Sequence, residues 1–282
     1  GLAALERAGV HYAALEASSH GLEQGRLDGL HLQAAGFTNL TRDHLDYHGT
    51  MAAYRTAKLK LFDTLLPQGA IAAANADMDT TTLDALRTIA HARNLRLRLT
   101  GTNGTTLRLL ACNALPSGQE LRISCNNGAA RTVMLPLPGR FQADNALLAL
   151  ALAIQDDSAL PAALDLLPAL AGVRGRMERA VVLPNGASAY VDYAHTPDAL
   201  TRLLASLRPH AHGRLIVVFG AGGDRDRGKR PLMAQAAASG ADIAIITDDN
   251  PRSEDPAHIR AEVRAGAPDA LEIGDRRQAI TE

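Results

Sequence analysis

Acidic, hydroxyl and imidazole side chains follow one another closely at residues 16–22, Glu-Ala-Ser-Ser-His-Gly-Leu, directly after a predicted strand. Open α/β sheets bind their ligands at the carboxyl ends of parallel strands. Glu16 is therefore a candidate ligand for a hard cation such as Mg²⁺, and Ser18 is a candidate substrate contact. The alternative is a polar turn that binds nothing.

A second cluster lies at residues 38–49, also directly after a predicted strand, and holds two histidines and two aspartates within six residues. Such a set can coordinate a metal or bind a phosphate-bearing ligand, although most charged clusters in loops are only solvated. His44 and His48 would share one face if this segment were helical. Because the spacing lacks the glutamate of a zinc-protease helix, we do not expect zinc.

Lys58 is the next candidate, because residues 50–66 have helical periodicity and place it on the same face as Tyr54 and Phe62. Lys60 is turned about 200° away, at about 100° per residue, and is predicted to point outward. A partly desolvated lysine has a larger share of neutral, nucleophilic amine, which can react with carbon dioxide. The resulting carbamate would be an oxygen ligand for Mg²⁺. The more common alternative is a lysine with a buried stem and a solvated ammonium.

Residues 101–106, Gly-Thr-Asn-Gly-Thr-Thr, nearly match the end of a nucleotide phosphate loop. That pattern requires a lysine before the hydroxyl residue and a helix after it. Here Thr105 stands in the lysine position, and residues 107–110 have the pattern of a strand. We therefore expect an ordinary turn.

The last two candidates follow predicted strands in the C-terminal third of the chain. Residues 220–231 begin like a dinucleotide fingerprint, but Arg225 stands where that motif needs glycine, which argues against an NAD site. The basic side chains of this segment suit an anionic ligand. After the next strand, Arg252 can bind a carboxylate bidentately, while Asp249 and Asn250 can bind an ammonium group or cap the following helix.

Predicted strands and helices alternate along the chain, which favours an α/β fold with mainly parallel sheets covered by helices. Strands are predicted at residues 12–16, 33–40, 69–74, 95–100, 180–183, 187–191, 215–219 and 243–247. Helices are predicted at residues 50–66, 82–93, 141–155, 161–171, 197–207, 229–238 and 256–265. A hairpin within residues 107–137, around Asn127-Gly128, is added to the main sheet. A change in composition at residues 173–176 predicts two doubly wound domains, residues 1–173 and a smaller one at residues 174–282.

The composition limits the possible partners. The 29 Lys and Arg nearly balance the 30 Asp and Glu, so we expect no nucleic-acid partner. Cys112 and Cys125 form neither a disulfide framework nor a Cys-x-x-Cys site, which fits a reducing cytoplasm. The longest apolar run, residues 146–154, is far shorter than the roughly 20 residues that span a bilayer, so we expect no membrane partner. The first and last residues fall inside amphipathic segments, and we expect both ends to be cut from a longer chain.

Six segments, in the same order as in the family, resemble the Mur ligase family and within it the MurE-type synthetases. They are Glu-Ala-Ser-Ser-His-Gly-Leu (16–22), Asn-Leu-Thr-Arg-Asp-His-Leu-Asp-Tyr-His-Gly (39–49), Gly-Arg-Met-Glu (175–178), Asp-Tyr-Ala-His-Thr-Pro-Asp (192–198), Gly-Gly-Asp-Arg-Asp-Arg-Gly-Lys-Arg-Pro (222–231) and Asp-Asp-Asn-Pro-Arg (248–252). The resemblance implies most of a central ATP-binding domain and a Rossmann-like C-terminal domain. It also implies a cytoplasmic, monomeric enzyme of peptidoglycan synthesis that uses ATP and Mg²⁺. That enzyme would activate UDP-N-acetylmuramoyl-L-alanyl-D-glutamate as an acyl phosphate, which the amine of meso-diaminopimelate attacks.

The resemblance also implies roles for individual residues. By ligand they are Ser18, Gln24 and Arg26 for the UDP-muramoyl substrate; Glu16 and His44 for Mg²⁺, with Lys58 as a carbamylated lysine that also binds it; Asn145, Arg176, Asp192 and His195 for ATP; and Arg225, Asp249, Asn250, Pro251 and Arg252 for diaminopimelate. Diaminopimelate has a second carboxylate at its distal end, and the guanidinium of Arg252 can recognise it.

Two segments of the family pattern are missing from this chain. The family's Gly-Thr-Asn-Gly-Lys-Thr phosphate loop is expected upstream of Glu16, and its Gly-Lys-Gly-His-Glu segment is expected beyond Glu282. We therefore expect the chain alone to be inactive, with hinge closure near Arg174 in the intact enzyme. The alternatives are a folylpolyglutamate synthase-like ligase and a catalytically dead protein that binds a nucleotide-linked sugar.

Overall fold

The computed structural model describes residues 2–41 and 45–282, apart from the side chains of Leu2 and Asp46. The chain forms two compact units. The first comprises Gly1–Leu109, Ser124–Ala129 and Leu147–Pro161, and the second comprises Leu110–Ile123, Ala130–Ala146 and Ala162–Glu282.

Helices and parallel strands follow one another in the first unit. Its strands are β1 (Ala34–Phe37), β2 (Ile71–Asn75) and β3 (Arg96–Gly101), and its helices are α1 (Leu2–Arg7), α2 (Ser19–Glu23), α3 (Leu45–His48), α4 (Met51–Lys60) and α5 (Thr80–Ala92). The three strands pair in chain order, and the first two residues of β4 (Leu107–Leu115) pair in parallel with β3. The predicted mainly parallel sheet is therefore confirmed.

The β2 strand lies in the core of this unit. Its first four residues are all fully buried, which is typical of a parallel strand covered on both faces. Leu83 and Leu86, three residues apart on one face of α5, belong to the same apolar cluster, and so does Phe62. The predicted helix at residues 50–66 is present as α4 and a π-helical turn that continues it, Leu61–Leu65.

A run of neighbouring strands continues the main sheet, in the order β1-β2-β3-β4-β5-β6, where β5 is Gly118–Cys125 and β6 is Ala130–Leu135. We predicted one hairpin around Asn127-Gly128, but a second short turn lies between β4 and β5. Gly118 begins β5 with a φ of +148°, and a Cβ there would lie 2.2 Å from the Leu135 carbonyl oxygen. This close approach requires glycine. Helix α6 (Arg140–Ala153) then follows as predicted.

The helix predicted at residues 161–171 is wrong as a single helix. The segment consists of a 3₁₀ turn, the short helix α7 (Leu160–Ala163) and a second 3₁₀ segment, Leu164–Ala169. Pro168 lies in the last of these and has no backbone N–H to donate. Leu160, Leu164 and Leu167 are fully buried, so the apolar face is present although the regular helix is not.

The rest of the second unit follows the predicted β-α-β-α order. Its elements are β7 (Glu178–Val182), β8 (Ser188–Val191), α8 (Pro197–Leu207), β9 (Ile216–Phe219), α9 (Lys229–Gly240), β10 (Ile243–Ile246), α10 (Pro256–Arg264), β11 (Leu271–Glu272) and α11 (Arg276–Thr281). The β7 and β8 strands form the predicted antiparallel hairpin, and β11, β10 and β9 form a parallel sheet in that order. β11 and the 3₁₀ turn Arg208–His210 lie outside the predicted elements.

Two other predictions about local structure are wrong. Residues 12–16 are exposed and belong to no strand, because they pair with no strand of the described chain and an apolar run needs a ladder partner to form one. Lys60 does not point outward into solvent. It is partly buried, and its Nζ donates to the Leu22 carbonyl oxygen at 2.9 Å. None of the described helices is long and apolar enough to span a membrane.

Candidate functional site

The candidate substrate residues Ser18, Gln24 and Arg26 flank α2. Ser18 caps this helix, since its Oγ accepts from the Gly21 N–H at 3.1 Å. Gln24 directly follows the helix, and its Nε2 lies 3.4 Å from the Tyr47 hydroxyl of α3. All three candidate side chains are exposed. The structure thus places them at the two ends of one short helix, where a ligand can reach them.

The candidate metal ligands do not form a site in the described part of the chain. Glu16 is exposed on an extended segment, and His44 lies outside the described residues. In residues 2–41 and 45–282, no cluster of three or more His, Cys, Asp or Glu could hold a metal ion. The described side chains therefore do not fit Mg²⁺ by themselves.

Lys58 is partly buried, as predicted. Its Nζ donates to the Asn39 carbonyl oxygen at 3.2 Å and lies 5.2 Å from the centre of the Tyr54 ring and 5.6 Å from that of Phe37. The two aromatic faces stabilise a positive charge at this position. Asn39 belongs to the second cluster predicted to bind a ligand, so the lysine reaches the segment that also carries His44.

The turn at residues 101–106 is occupied by a protein carboxylate. Asp77 accepts from the backbone N–H groups of Thr102 and Asn103, at 2.7 and 2.9 Å. Gly101 has a φ of +99°, and a strand follows instead of a helix. Because Asp77 already fills the position of an anion, the structure agrees with the prediction of an ordinary turn.

Three of the four candidate ATP residues come together in the second unit. Asp192 accepts from the N–H of Met177 at 2.8 Å, which holds the Gly175–Glu178 segment against β8. Arg176 lies over the ring of Tyr193, 5.0 Å from its centre, and the His195 ring meets Tyr193 edge to face at 5.3 Å. The result is an exposed surface of guanidinium, phenol and imidazole, which suits a flat heteroaromatic ring or a phosphate.

Tyr193 was not among the predicted site residues, although it is 65% exposed at the centre of this surface. An exposed aromatic residue between Asp192 and His195 was the signal that could have identified it. Asn145, the fourth candidate, is exposed on α6. Met177 has a left-handed φ of +46° and is buried, with its side chain close to Gly139 just before α6.

The candidate amino-acid residues lie on two loops that touch each other, at the carboxyl ends of β9 and β10. Gly223 N–H donates to the Asn250 carbonyl oxygen at 2.9 Å, and the Arg252 guanidinium donates to the Gly223 carbonyl oxygen. A Cβ on Gly223 would lie 1.8 Å from the Pro251 carbonyl oxygen. The glycines of this segment therefore allow the loops to approach, and do not form a dinucleotide site.

A network of charged side chains holds the two loops in place. Arg230 is fully buried, and its guanidinium binds both oxygens of Glu254, at 2.7 and 2.9 Å, and one oxygen of Glu262 at 2.5 Å. The hydrogen bonds from Arg230 lower the pKa of Glu254 to about 2, and those from Arg227 and Arg230 lower the pKa of Glu262 to about 2. The hydroxyl and N–H of Ser253 likewise lower the pKa of Asp224.

The basic side chains of residues 225–230 thus differ in what they bind. Arg227 pairs with Glu262, Lys229 donates to the His195 carbonyl oxygen at 3.1 Å, and Arg230 is buried. Arg225 is exposed, and its guanidinium donates to the Asp224 carbonyl oxygen at 3.5 Å. Within this segment Arg225 is therefore the side chain best placed to bind an external anion.

Comparison with known proteins identifies two domain models that match the chain. The model of the Mur ligase middle domain matches residues 1–153, and that of the Mur ligase glutamate ligase domain matches residues 175–282. A protein of Caulobacter vibrioides named UDP-N-acetylmuramoyl-L-alanyl-D-glutamate–2,6-diaminopimelate ligase is 53% identical over 99% of this chain, and one of the same name from Agrobacterium fabrum is 51% identical over 99%. The chain spans 57% and 56% of the length of these two relatives.

Solved structures show the same relationship. A structure of the ligase with that name matches with a TM-score of 0.70 and 40% identity, over 97% of this chain and 56% of its own. Folylpolyglutamate synthase of Mycobacterium tuberculosis matches with a TM-score of 0.61 at 22% identity, over 88% of this chain and 56% of its own, which is a likeness of fold. The α/β architecture, the two matched domain models and the close relatives have one explanation: the chain belongs to the Mur ligase family.

Proposed function

We propose that the protein to which this chain belongs is an ATP-dependent ligase that joins meso-diaminopimelate to UDP-N-acetylmuramoyl-L-alanyl-D-glutamate during peptidoglycan synthesis. The identity of 53% to a relative with that name, over 99% of the chain, supports the proposal most directly. The chain would supply two domains, residues 1–173 and 174–282, to a cytoplasmic and monomeric enzyme.

The proposed diaminopimelate site lies on the loops that follow β9 and β10. Diaminopimelate has a carboxylate and an ammonium at each end. The hydrogen-bonded loops after β9 and β10 bear the exposed cations Arg225 and Arg252 and the exposed groups Asp249 and Asn250. This combination supports binding of a carboxylate and an ammonium side by side, because guanidinium groups bind carboxylates bidentately and carboxylate or amide oxygens accept from ammonium.

Pro251 contributes to this site through its backbone. Its carbonyl oxygen accepts from the Glu254 N–H at 3.0 Å and lies against Gly223. Arg252 has a left-handed φ of +52°, and its N–H donates to the Asn250 side chain at 3.2 Å. Hydrogen bonds within the chain thus fix the fold of this loop, which reduces the entropy lost when a ligand binds.

The remaining ligands are assigned to other residues of the chain. For ATP we propose Asn145 and the surface formed by Arg176, Asp192 and His195, to which Tyr193 adds an aromatic face. For the UDP-linked substrate we propose Ser18, Gln24 and Arg26. Mg²⁺ is proposed on the family resemblance alone, with Glu16, His44 and carbamylated Lys58 as ligands.

The test is phosphate release from ATP by the intact protein with the UDP-muramoyl dipeptide, comparing diaminopimelate with lysine as the acceptor. Lysine lacks the distal carboxylate, so diaminopimelate is expected to be preferred by a factor of 100 or more if two charge-assisted hydrogen bonds of roughly 1.5–3 kcal/mol each are made to it. Arg252→Ala should remove most of this preference, whereas the exposed Arg202→Ala on α8 should not change it. A wild-type preference for lysine, or for a folate substrate, would contradict the proposal.

A further inference from the structure

The His48 imidazole is buried in the first unit and binds protein groups through both of its nitrogens. Its side chain is 1% exposed. Nε2 lies 2.9 Å from the Ser19 hydroxyl, and Nδ1 lies 3.2 Å from a carboxylate oxygen of Glu23. The neutral tautomer with its proton on Nδ1 satisfies both contacts, because Nδ1–H then donates to Glu23 while Nε2 accepts the Ser19 hydroxyl proton.

The two groups bound by His48 are the first and last residues of α2. A helix of five residues is too short to be stable by itself, so it depends on tertiary contacts. The two imidazole nitrogens therefore bind side chains from both ends of this helix. Ser18 directly precedes the helix and Gln24 directly follows it, so the same two contacts determine where these candidate substrate residues lie.

The other side of the imidazole is attached to α4. The His48 ring stacks on the ring of Tyr54, with centroids 5.1 Å apart and an angle of 26° between the planes. Tyr54 is buried, and the Lys58 ammonium lies 5.2 Å from the centre of the same ring. His48 therefore connects the α2 turn to the helix that carries the candidate carbamylated lysine.

The order of hydroxyl, imidazole and carboxylate also resembles the triad of a serine hydrolase. Ser19, however, is only 3% exposed, so an acyl substrate cannot reach its hydroxyl. The contacts that Ser19 and Glu23 make are therefore suited to holding α2, not to nucleophilic attack.

We propose that His48 is a positioning residue, which acts through Ser19 and Glu23 to hold Ser18, Gln24 and Arg26 in the geometry that binds the UDP-muramoyl substrate. This inference rests on the proposed function. His48 does not touch the substrate in this proposal. Its loss should weaken binding of the UDP-muramoyl substrate and leave binding of ATP and diaminopimelate unchanged.

The experiment replaces His48 by Phe in the intact protein, since the phenyl ring keeps the stacking on Tyr54 and loses both hydrogen bonds. The KM for the UDP-muramoyl dipeptide should rise about tenfold, the effect of losing two hydrogen bonds of modest net strength. The KM values for ATP and diaminopimelate should stay within about twofold of wild type. The exposed His91→Phe on α5 is the matched control and should change none of the three.

Two further variants test the same contacts in case His48→Phe does not fold. Ser19→Ala should raise the same KM, and adding it to His48→Phe should have little further effect, because both remove one shared contact. His48→Gln, whose amide offers one donor and one acceptor, should restore part of the affinity. Retained circular dichroism and thermal midpoint identify the variants that fold.

Each outcome has a separate meaning. If wild-type protein releases no phosphate with these substrates, the proposed function fails. If wild type is active but folded His48→Phe, or Ser19→Ala where His48→Phe does not fold, leaves the KM of the UDP-linked substrate within twofold, the positioning role is refuted. An equal rise in all three KM values refutes it as well, and so does ester hydrolysis that Ser19→Ala abolishes.

Discussion

Replacing Arg230 by Met tests whether the charged network around this residue holds the loops that follow β9 and β10 in place. Met has a similar length and no charge, so it fills much of the volume of the arginine stem while leaving Glu254 and Glu262 without their shared partner. Arg230 is fully buried, whereas the two carboxylate side chains keep 20% and 25% of their exposure. In Arg230→Met, the carboxylates of Glu254 and Glu262 can therefore be partly rehydrated.

The magnitude follows from this asymmetry. Removing one partner of a buried ion pair costs about 3–5 kcal/mol of unfolding free energy, because the other charge remains buried and unpaired. Both glutamates can be partly rehydrated, Asp224 N–H still donates to Glu254, and Arg227 still pairs with Glu262, so the lower end of the range applies. We expect Arg230→Met to lose about 3 kcal/mol, which for a domain of this size lowers the thermal midpoint by about 6–12 °C.

The measurement is urea unfolding of the intact protein at pH 7, followed by circular dichroism and compared with wild type. The control is Arg202→Met, since Arg202 and Asp198 form an exposed ion pair on α8, with 62% and 75% of their side chains accessible. Surface pairs of this kind contribute at most about 1 kcal/mol. If Arg230→Met lost no more than the control, the network would not stabilise the loops, and the physical basis proposed for the amino-acid site would be wrong.

Two more predictions concern titration and a buried histidine. Because the folded-state pKa values of Glu254 and Glu262 are lowered to about 2 from an ordinary 4.5, their stabilisation is present above pH 4.5 and is lost as the pH falls towards 2. The unfolding free energies of wild type and Arg230→Met should therefore converge in that window, and a constant difference would contradict the assigned pairing. His210→Leu should cost about 1–3 kcal/mol, because His210 Nε2 accepts the buried Gly139 N–H at 2.9 Å and its Nδ1 lies 2.8 Å from the Leu115 carbonyl oxygen. The exposed His212→Leu is its control in the same unfolding assay, and an equal effect of the two substitutions would show that this contact contributes nothing.

Periodicity predicted most of the regular elements because each one buries a face of its own. The strands that became β2, β3, β9 and β10, and the helices that became α5, α8 and α10, were found within one or two residues of their bounds. The predicted strand at residues 12–16 failed for a physical reason. Its composition suits a strand, but strand formation depends on a partner, and a local sequence does not encode the partner.

The orientation of the lysines shows a second limit of sequence analysis. Helical spacing placed Lys58 correctly on the inner side of α4 but predicted an outward Lys60. The Lys60 ammonium instead binds the Leu22 carbonyl oxygen, an acceptor 38 residues away in the sequence. A long, flexible side chain can leave the face on which its Cα lies, so an angle of projection along a helix does not determine where its charge resides.

The candidate site residues were chosen because they match short motifs, whereas the residues that hold them in place match no motif. Arg225 and Arg252 stand out in the sequence because they lie next to glycines and acidic residues at strand ends. Glu254 and Glu262, which hold Arg230, look like ordinary surface residues of a loop and a helix. Their importance depends on the burial of Arg230, which appears only when β9, β10 and α10 are assembled.

The glycines of residues 220–223 allow the loops after β9 and β10 to approach each other closely. In a dinucleotide fold such glycines let a pyrophosphate approach the backbone. Here a Cβ on Gly220 would lie 2.4 Å from the Thr247 carbonyl oxygen, and one on Gly223 would lie 1.8 Å from that of Pro251, so the close approach is between two loops of the same chain. The Gly223 carbonyl oxygen accepts from the Arg252 guanidinium and so positions it. Arg230 binds Glu254, two residues after Arg252, and so holds the same loop from its other end. A motif that provides backbone access for a cofactor in one fold thus provides, in this one, a support for the guanidinium group of Arg252.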